Sequence, residues 1–156
     1  MQVIAFGIEY LQERIDREIV LARPMGVIVE SADEAGIVLR APLPRNANHK
    51  GTAFGGSLYA LAVLTGWAWL TRYIASAEIN ADAVIQKSSM QFLLPVEGEL
   101  RAVIAPPANA DIDKFRKLLL RAGRGRIRLR VEIHQGEKLA TVFDGLFAAA
   151  IRHQEI

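Results

Sequence analysis

The chain contains no cysteine, which excludes a disulfide framework, a thiolate metal centre and a cysteine nucleophile. Histidine is scarce, and neither His134 nor His153 shares a metal-ligand spacing with a carboxylate, so the sequence assembles no metal constellation. Charge of one sign is barely in excess. A formal +2 over 156 residues gives no electrostatic footprint for nucleic acid. The opening MQVIAFGIEYLQERIDREIV carries acids early and no basic stretch ahead of an apolar core, so it does not read as a secretory signal, and a cytoplasmic location is expected. Linkers, repeats and low-complexity tracts are missing as well. With 51% hydrophobic residues, a chain of this length is expected to form one domain, residues 1–156, with a sizeable core.

The most informative lack is of charge in one stretch, NHKGTAFGGSLYALAVLTGWAWL, which has no charged residue between Lys50 and Arg72. The run is long enough for a bilayer, and Gly51 and Gly55 have a small-xxx-small spacing. Its first residues, GTAFGG, are poor helix formers, however, and the remaining Ser57 to Thr71 is short for a span. The expectation is therefore a helix buried on every side in a globular domain, with its N-terminus at Gly55-Gly56-Ser57. Glycines there admit another molecule to the backbone, and the free N–H groups of the first turn, at the positive end of the helix dipole, suit a carbonyl oxygen that gains negative charge. The alternative is that the glycines serve tight packing and Ser57 caps the helix.

Along the chain, Ile4, Ile8, Leu11, Ile15, Ile19 and Ala22 recur at helical spacing, and Pro24 is expected to stop that amphipathic helix. Residues 25–31 and 37–41 read as a hairpin around Asp33-Glu34-Ala35-Gly36. APLPRNANHK excludes regular structure and marks a loop delivering the chain to the buried helix. Strands are expected over 83–96 and 99–104, a short helix from Asn109 to Gly123, and two further strands over 124–134 and 138–151. The sum is an α+β domain with a mainly antiparallel sheet around one helix.

The run Asn48-x-x-Gly51-Thr52-x-x-Gly55-Gly56, entering a long apolar helix and followed by a strand ending Phe92-Leu93-Leu94-Pro95-Val96, resembles the hot-dog-fold acyl-CoA thioesterases. APLPRNANHKGTAFGGSLYALAVLTGW is similar in particular to the thioesterase family that forms the C-terminal domain of YiiD-type proteins. The resemblance implies a hot-dog fold, with a sheet wrapped around the central helix and subunits paired as a homodimer or dimer of dimers. Each site would lie between two subunits and bind an acyl-CoA or acyl-carrier substrate. It also implies that the Gly55 N–H, with Gly56 beside it, holds the thioester carbonyl, and that Asn48 helps to hold the attacking water. No cofactor is implied beyond coenzyme A as part of the substrate.

The position that carries a carboxylate in many of these enzymes is Val63 here, and no Asp or Glu occurs between Gly51 and Ile74. A base must come from elsewhere. His49 titrates in the useful range and is one candidate, set against a solvated loop histidine; Asp82, brought near by the partner subunit, is another, set against a turn residue. Ser88 and Ser89 lie where related enzymes place a water-orienting hydroxyl, and adjacent strand residues face opposite ways. Thr65 is expected to bond back to the preceding turn, and Trp67 and Trp69 to line an acyl tunnel or pack the core. Thr52, Phe54 and Ser57 complete the expected substrate contacts around the helix start. Arg124, Arg126, Arg128 and Arg130 share one strand face, where Arg124 and Arg126 would meet the phosphates of coenzyme A or form part of a solvated face. Three functions follow: a thioester hydrolase, an acyl-thioester binding protein that does not turn over, and a hydratase.

Overall fold

A computed structural model of the chain describes residues 5–153. Helix α1, Ile8–Glu18, buries Leu11 and Ile15; Ile4, the first member of the periodic apolar set, lies outside the described residues. Pro24 does not stop this helix. The chain leaves it at Ile19, whose extended backbone lets the exposed Val20 and Leu21 swing out, and a second short helix, α2, Ala22–Met25, turns Ala22 and Met25 into the core. Pro24 sits inside α2, in a first turn whose N–H groups have no intrahelical partner to lose. Gly26, at φ +72°, ends it.

The hairpin forms from β1, Ile28–Asp33, and β2, Gly36–Ala41, so it starts three residues later than the apolar pattern suggests because Met25 belongs to α2. The Asp33 side chain accepts from the Ala35 N–H at 2.8 Å and closes the turn. Gly36 has φ +131°, and a Cβ there would lie 2.0 Å from the Ile104 carbonyl oxygen. Gly36→Ala therefore combines left-handed strain of about 1–3 kcal/mol with displacement of the neighbouring strand. A loss of at least about 2 kcal/mol is expected in urea denaturation.

The sheet has six antiparallel strands in the order β1-β2-β4-β5-β6-β3, with β3 Ala81–Phe92, β4 Leu100–Ile104, β5 Arg124–Gln135 and β6 Lys138–Ile151. Helix α3, Gly55–Ser76, lies across it, and helix α4, Asn109–Ala122, covers one end with Phe115 and Leu119 buried and Gly123 closing it at φ +75°. α3 approaches the sheet at Gly66, where a Cβ would fall 2.5 Å from the ring of the fully buried Phe147. Thr65 donates back to the Leu61 carbonyl at 2.7 Å, as its helical position implies.

α3 is not enclosed on every side. Gly56 and Tyr59 are exposed, and Ala60, Val63 and Trp67 only half-buried, so one flank of the helix opens beside β3. β3 itself is an edge strand, and among the described residues no further strand continues the sheet beside this flank. Among the described residues, no helix is long and apolar enough to cross a membrane.

Candidate active site

The loop from Pro42 to Phe54 is tied down at several points. After a single 3-10 turn at Leu43–Arg45, the buried Asn46 donates its amide to the carbonyls of Met25 (2.9 Å) and Pro42 (2.8 Å), while its own backbone carbonyl accepts from the Phe54 N–H at 2.7 Å. Ala53 N–H donates to Val96 O at 2.8 Å. The residues entering α3 are thus fixed from both sides.

Asn48 organises the tip of this loop. Its Oδ1 accepts from the N–H groups of Lys50 (2.8 Å) and Thr52 (3.2 Å), and its Nδ2 donates to Thr52 Oγ1 (2.8 Å) and, at 3.5 Å, to the Ala53 carbonyl. The whole amide is engaged within its own loop. Thr52 is drawn into the same turn, and His49 stands exposed at the tip.

α3 begins with Phe54 as its N-cap residue and no side-chain cap, so Ser57 is not a cap. The Phe54 carbonyl accepts from the N–H groups of Ser57 (2.9 Å) and Leu58 (3.1 Å). Among the described residues, nothing accepts from the N–H groups of Gly55 or Gly56. Two adjacent donors at the positive end of a 22-residue helix remain open to an acceptor with developing negative charge. Two half-exposed phenyl rings flank them. A Cβ on Gly55 would stand 3.5 Å from the Phe92 ring, and one on Gly56 would stand 2.4 Å from the Phe54 ring.

One turn further on, the Tyr59 hydroxyl is hydrogen-bonded to Ser88 Oγ across the gap to β3. Register places Ser88 opposite Gly145, on the face towards α3, and Ser89 opposite Asp144 on the outer face. Val63 is half-buried against the core, so the helix presents no carboxylate to this flank. Asp82 lies ten residues before Phe92 on β3 and is bonded to Arg152, which holds its carboxyl below the ordinary range despite some opposing desolvation. Within the chain it is far from the glycine amides, about 33 Å of extended strand separating it from Phe92, whose ring stands beside Gly55.

Arg124, Arg126, Arg128 and Arg130 all project from the outer face of β5. Arg130 pairs with Glu132 (3.2 Å) and Asp144 (3.9 Å). Arg124 and Arg126 instead join Lys114 of α4 around a groove of about 650 Å³ floored by Ala148 and Ala150. Lys114, Tyr59 and the Phe92 ring are the participants that sequence reasoning did not assign. The apolar run Phe92-Leu93-Leu94, which stays exposed at a strand end, was the available signal for the last of these.

A long helix laid across a wrapped antiparallel sheet, opening on unbonded glycine amides, defines a hot-dog-fold protein. The chain belongs to the family described as "Putative thioesterase (yiiD_Cterm)", whose profile matches residues 8–151. Among solved structures it is similar to a protein of unknown function from Chlorobaculum tepidum TLS, at 29% identity and a TM-score of 0.88, covering 92% of this chain and 94% of that one. It is also similar to the putative thioesterase from Shewanella oneidensis (23% identity, TM-score 0.79, 93% and 97% covered). The thioesterase HI1161 from Haemophilus influenzae shares the fold at 17% identity and a TM-score of 0.67, with 95% and 94% covered.

Proposed function

We propose that this protein hydrolyses an acyl-CoA or acyl-carrier thioester to the free acid. The observation that carries this reading is the pair of unbonded N–H groups at Gly55 and Gly56, aimed out of the start of α3. A thioester carbonyl placed there receives both donors as water adds to its carbon; the C–S bond then breaks, and the thiol leaves with a proton. Tyr59 and Ser88, bonded to each other beside the helix start, are the hydroxyls best placed to orient that water. Asn48 acts as a positioning residue, because its amide holds the loop that fixes Gly55. His49 is exposed on the same loop and is the candidate base there.

The substrate's phosphates lie in the groove of Lys114, Arg124 and Arg126, where alanines leave a flat floor. A second copy of the chain pairs along the open edge of β3, which is twelve residues long with Val84 and Phe92 exposed on it and Leu93 and Leu94 just beyond. Such a homodimer, or a dimer of dimers, places each helix start at the seam between subunits.

Thiol release over a series of acyl-CoA chain lengths tests the reading, and turnover no faster than buffer would sink it. Lys114→Gln combined with Arg126→Gln is expected to raise KM for acyl-CoA about tenfold with little change in kcat, since uniform binding is lost. An acyl-thioester binding protein without turnover is the second reading, favoured by Val63 where a carboxylate would serve as base. Tight acyl-CoA binding without released thiol would select it.

A further inference from the structure

Charge is unevenly spread along the chain. Of its 19 cations and 17 carboxylates, residues 111–128 hold seven and two, so the remainder is net acidic and the positive excess is gathered on α4 and the first half of β5. Lys114, Lys117 and Arg121 follow one another at helical spacing along the flank of α4 that turns, with Leu118, towards the outer face of the sheet. Arg124, Arg126 and Arg128 stand on that face at alternate positions of β5. All six are exposed.

Among the described residues none of the six is ion-paired, whereas Arg130, next in the row, is taken by Glu132 and Asp144. The carboxylate that lines the groove between α4 and β5, Asp82, is itself taken by Arg152. Even with Asp111 set against Arg128, which share the lining of the next hollow, this surface keeps a clear excess of positive charge. β6 separates β5 from the open edge of β3, so a second copy seated on that edge leaves the six cations uncovered.

Lys114, Arg124 and Arg126 are the cations matched above to the phosphates of coenzyme A. Lys117, Arg121 and Arg128 extend past them and have no counterpart in a substrate whose charge is confined to those phosphates. Leu118 and the alanine floor set apolar ground at the centre of the cationic rim, which is the anatomy of a protein–protein contact. Among the described residues no aromatic ring lines the groove for a nucleotide base to stack on. The apolar ground is recessed in a hollow of about 650 Å³, where a flat bilayer does not reach.

We propose that this surface docks an acidic carrier domain bearing the acyl group on a phosphate-linked thiol arm, so that the carrier thioester is preferred to acyl-CoA. The inference rests on the hydrolytic reading above and names its substrate. The phosphate of the arm takes the groove, and carboxylates of the carrier take Lys117, Arg121 and Arg128. Two-fold pairing along β3 is antiparallel, so the groove, at the first residues of one β3, comes beside the last residues of the other and the helix start that Phe92 flanks.

The test places one octanoyl group on an acidic acyl carrier protein and on coenzyme A, measures thiol release from each, and follows binding of the unloaded carrier by calorimetry. The carrier thioester is expected to give a kcat/KM about tenfold or more above that of the CoA ester. In the triple variant Lys117→Glu, Arg121→Glu, Arg128→Glu, carrier affinity and kcat/KM for the carrier thioester are expected to fall about 100-fold, with acyl-CoA turnover held within a few-fold. Should that variant fail to fold, Arg128→Glu alone gives the same comparison, and carrier affinity of the unaltered chain is expected to drop about tenfold as salt is raised to physiological strength. Acyl-CoA cleaved as efficiently as the carrier thioester, carrier affinity unchanged in a folded variant, or a duplex oligonucleotide or phosphatidylglycerol vesicle binding more tightly than the carrier would each overturn the assignment. Acyl-CoA hydrolysis without carrier binding overturns the docking surface and leaves the hydrolase standing. Carrier binding that the variant abolishes, with neither thioester cleaved, supports the docking surface and counts against the hydrolase.

Discussion

Gly55→Pro is expected to lower turnover of an acyl thioester by about 10²–10³ while leaving the fold in place. Proline deletes one donor, the backbone N–H, and puts a ring carbon where the substrate oxygen would sit. At most other helical positions this change would break the helix. At the first position it does not, because the missing N–H has no intrahelical partner and the fixed φ of proline suits a helix start. The preceding residue is compatible as well: Phe54 sits at φ −65° and ψ 132°, in the extended region that a residue before proline prefers. The nearest side-chain atom to a Cβ at Gly55 is 3.5 Å away, an ordinary contact. Gly55→Ala is the control; it keeps the donor and should retain turnover within a few-fold. Circular dichroism and a melting curve establish that the proline variant folds. Full activity in that folded variant would remove Gly55 from the mechanism.

The largest expected effect on stability is at Phe147. The ring is fully buried between α3 and the sheet, in edge contact with Phe143 at 6.3 Å and 64°, and it fills the space that Gly66 and Gly145 leave. Phe147→Ala is expected to cost about 3–5 kcal/mol through lost burial and the cavity left behind. For a domain of this size, that corresponds to a fall in Tm of about 6–20 °C. Gly66→Ala approaches the same contact from the other side, setting a methyl 2.5 Å from the ring. Overpacking of about 1–3 kcal/mol opposes a gain in helix propensity of about 1 kcal/mol, so a net loss is expected. In the double variant the methyl enters the cavity, and the combined loss should be smaller than the sum. Strict additivity in thermal and urea denaturation would show that the two residues do not meet.

Much of this architecture is legible in the residue order because the signals are local. Alternation of Ile127, Leu129 and Val131 with arginines fixes β5, and the glycine after Ala122 ends α4 where a left-handed residue is needed. Pro24 falls inside α2 and not at the end of α1, because burial of Ala22 and Met25 decides where the chain turns. The glycine amides were legible from GTAFGG, and their lack of partners became clear only with the cap geometry. The engagement of Asn48 within its own loop depends on the side-chain rotamer, which sequence spacing does not encode. Lys114 meets Arg124 and Arg126 only because α4 folds back over the first residues of β5, a tertiary event without a local signature.

Asn46 joins two regions that the chain order keeps apart. Its carboxamide holds the exit of α2 and the entrance of the loop, and its backbone carbonyl holds the residue before Gly55. Sliding the N-terminal helices relative to the long helix would cost the buried Asn46 amide its Met25 acceptor and leave only Pro42, so displacement of either segment is opposed at this point. The opening residues of the domain are thereby part of the frame that keeps the glycine donors aimed.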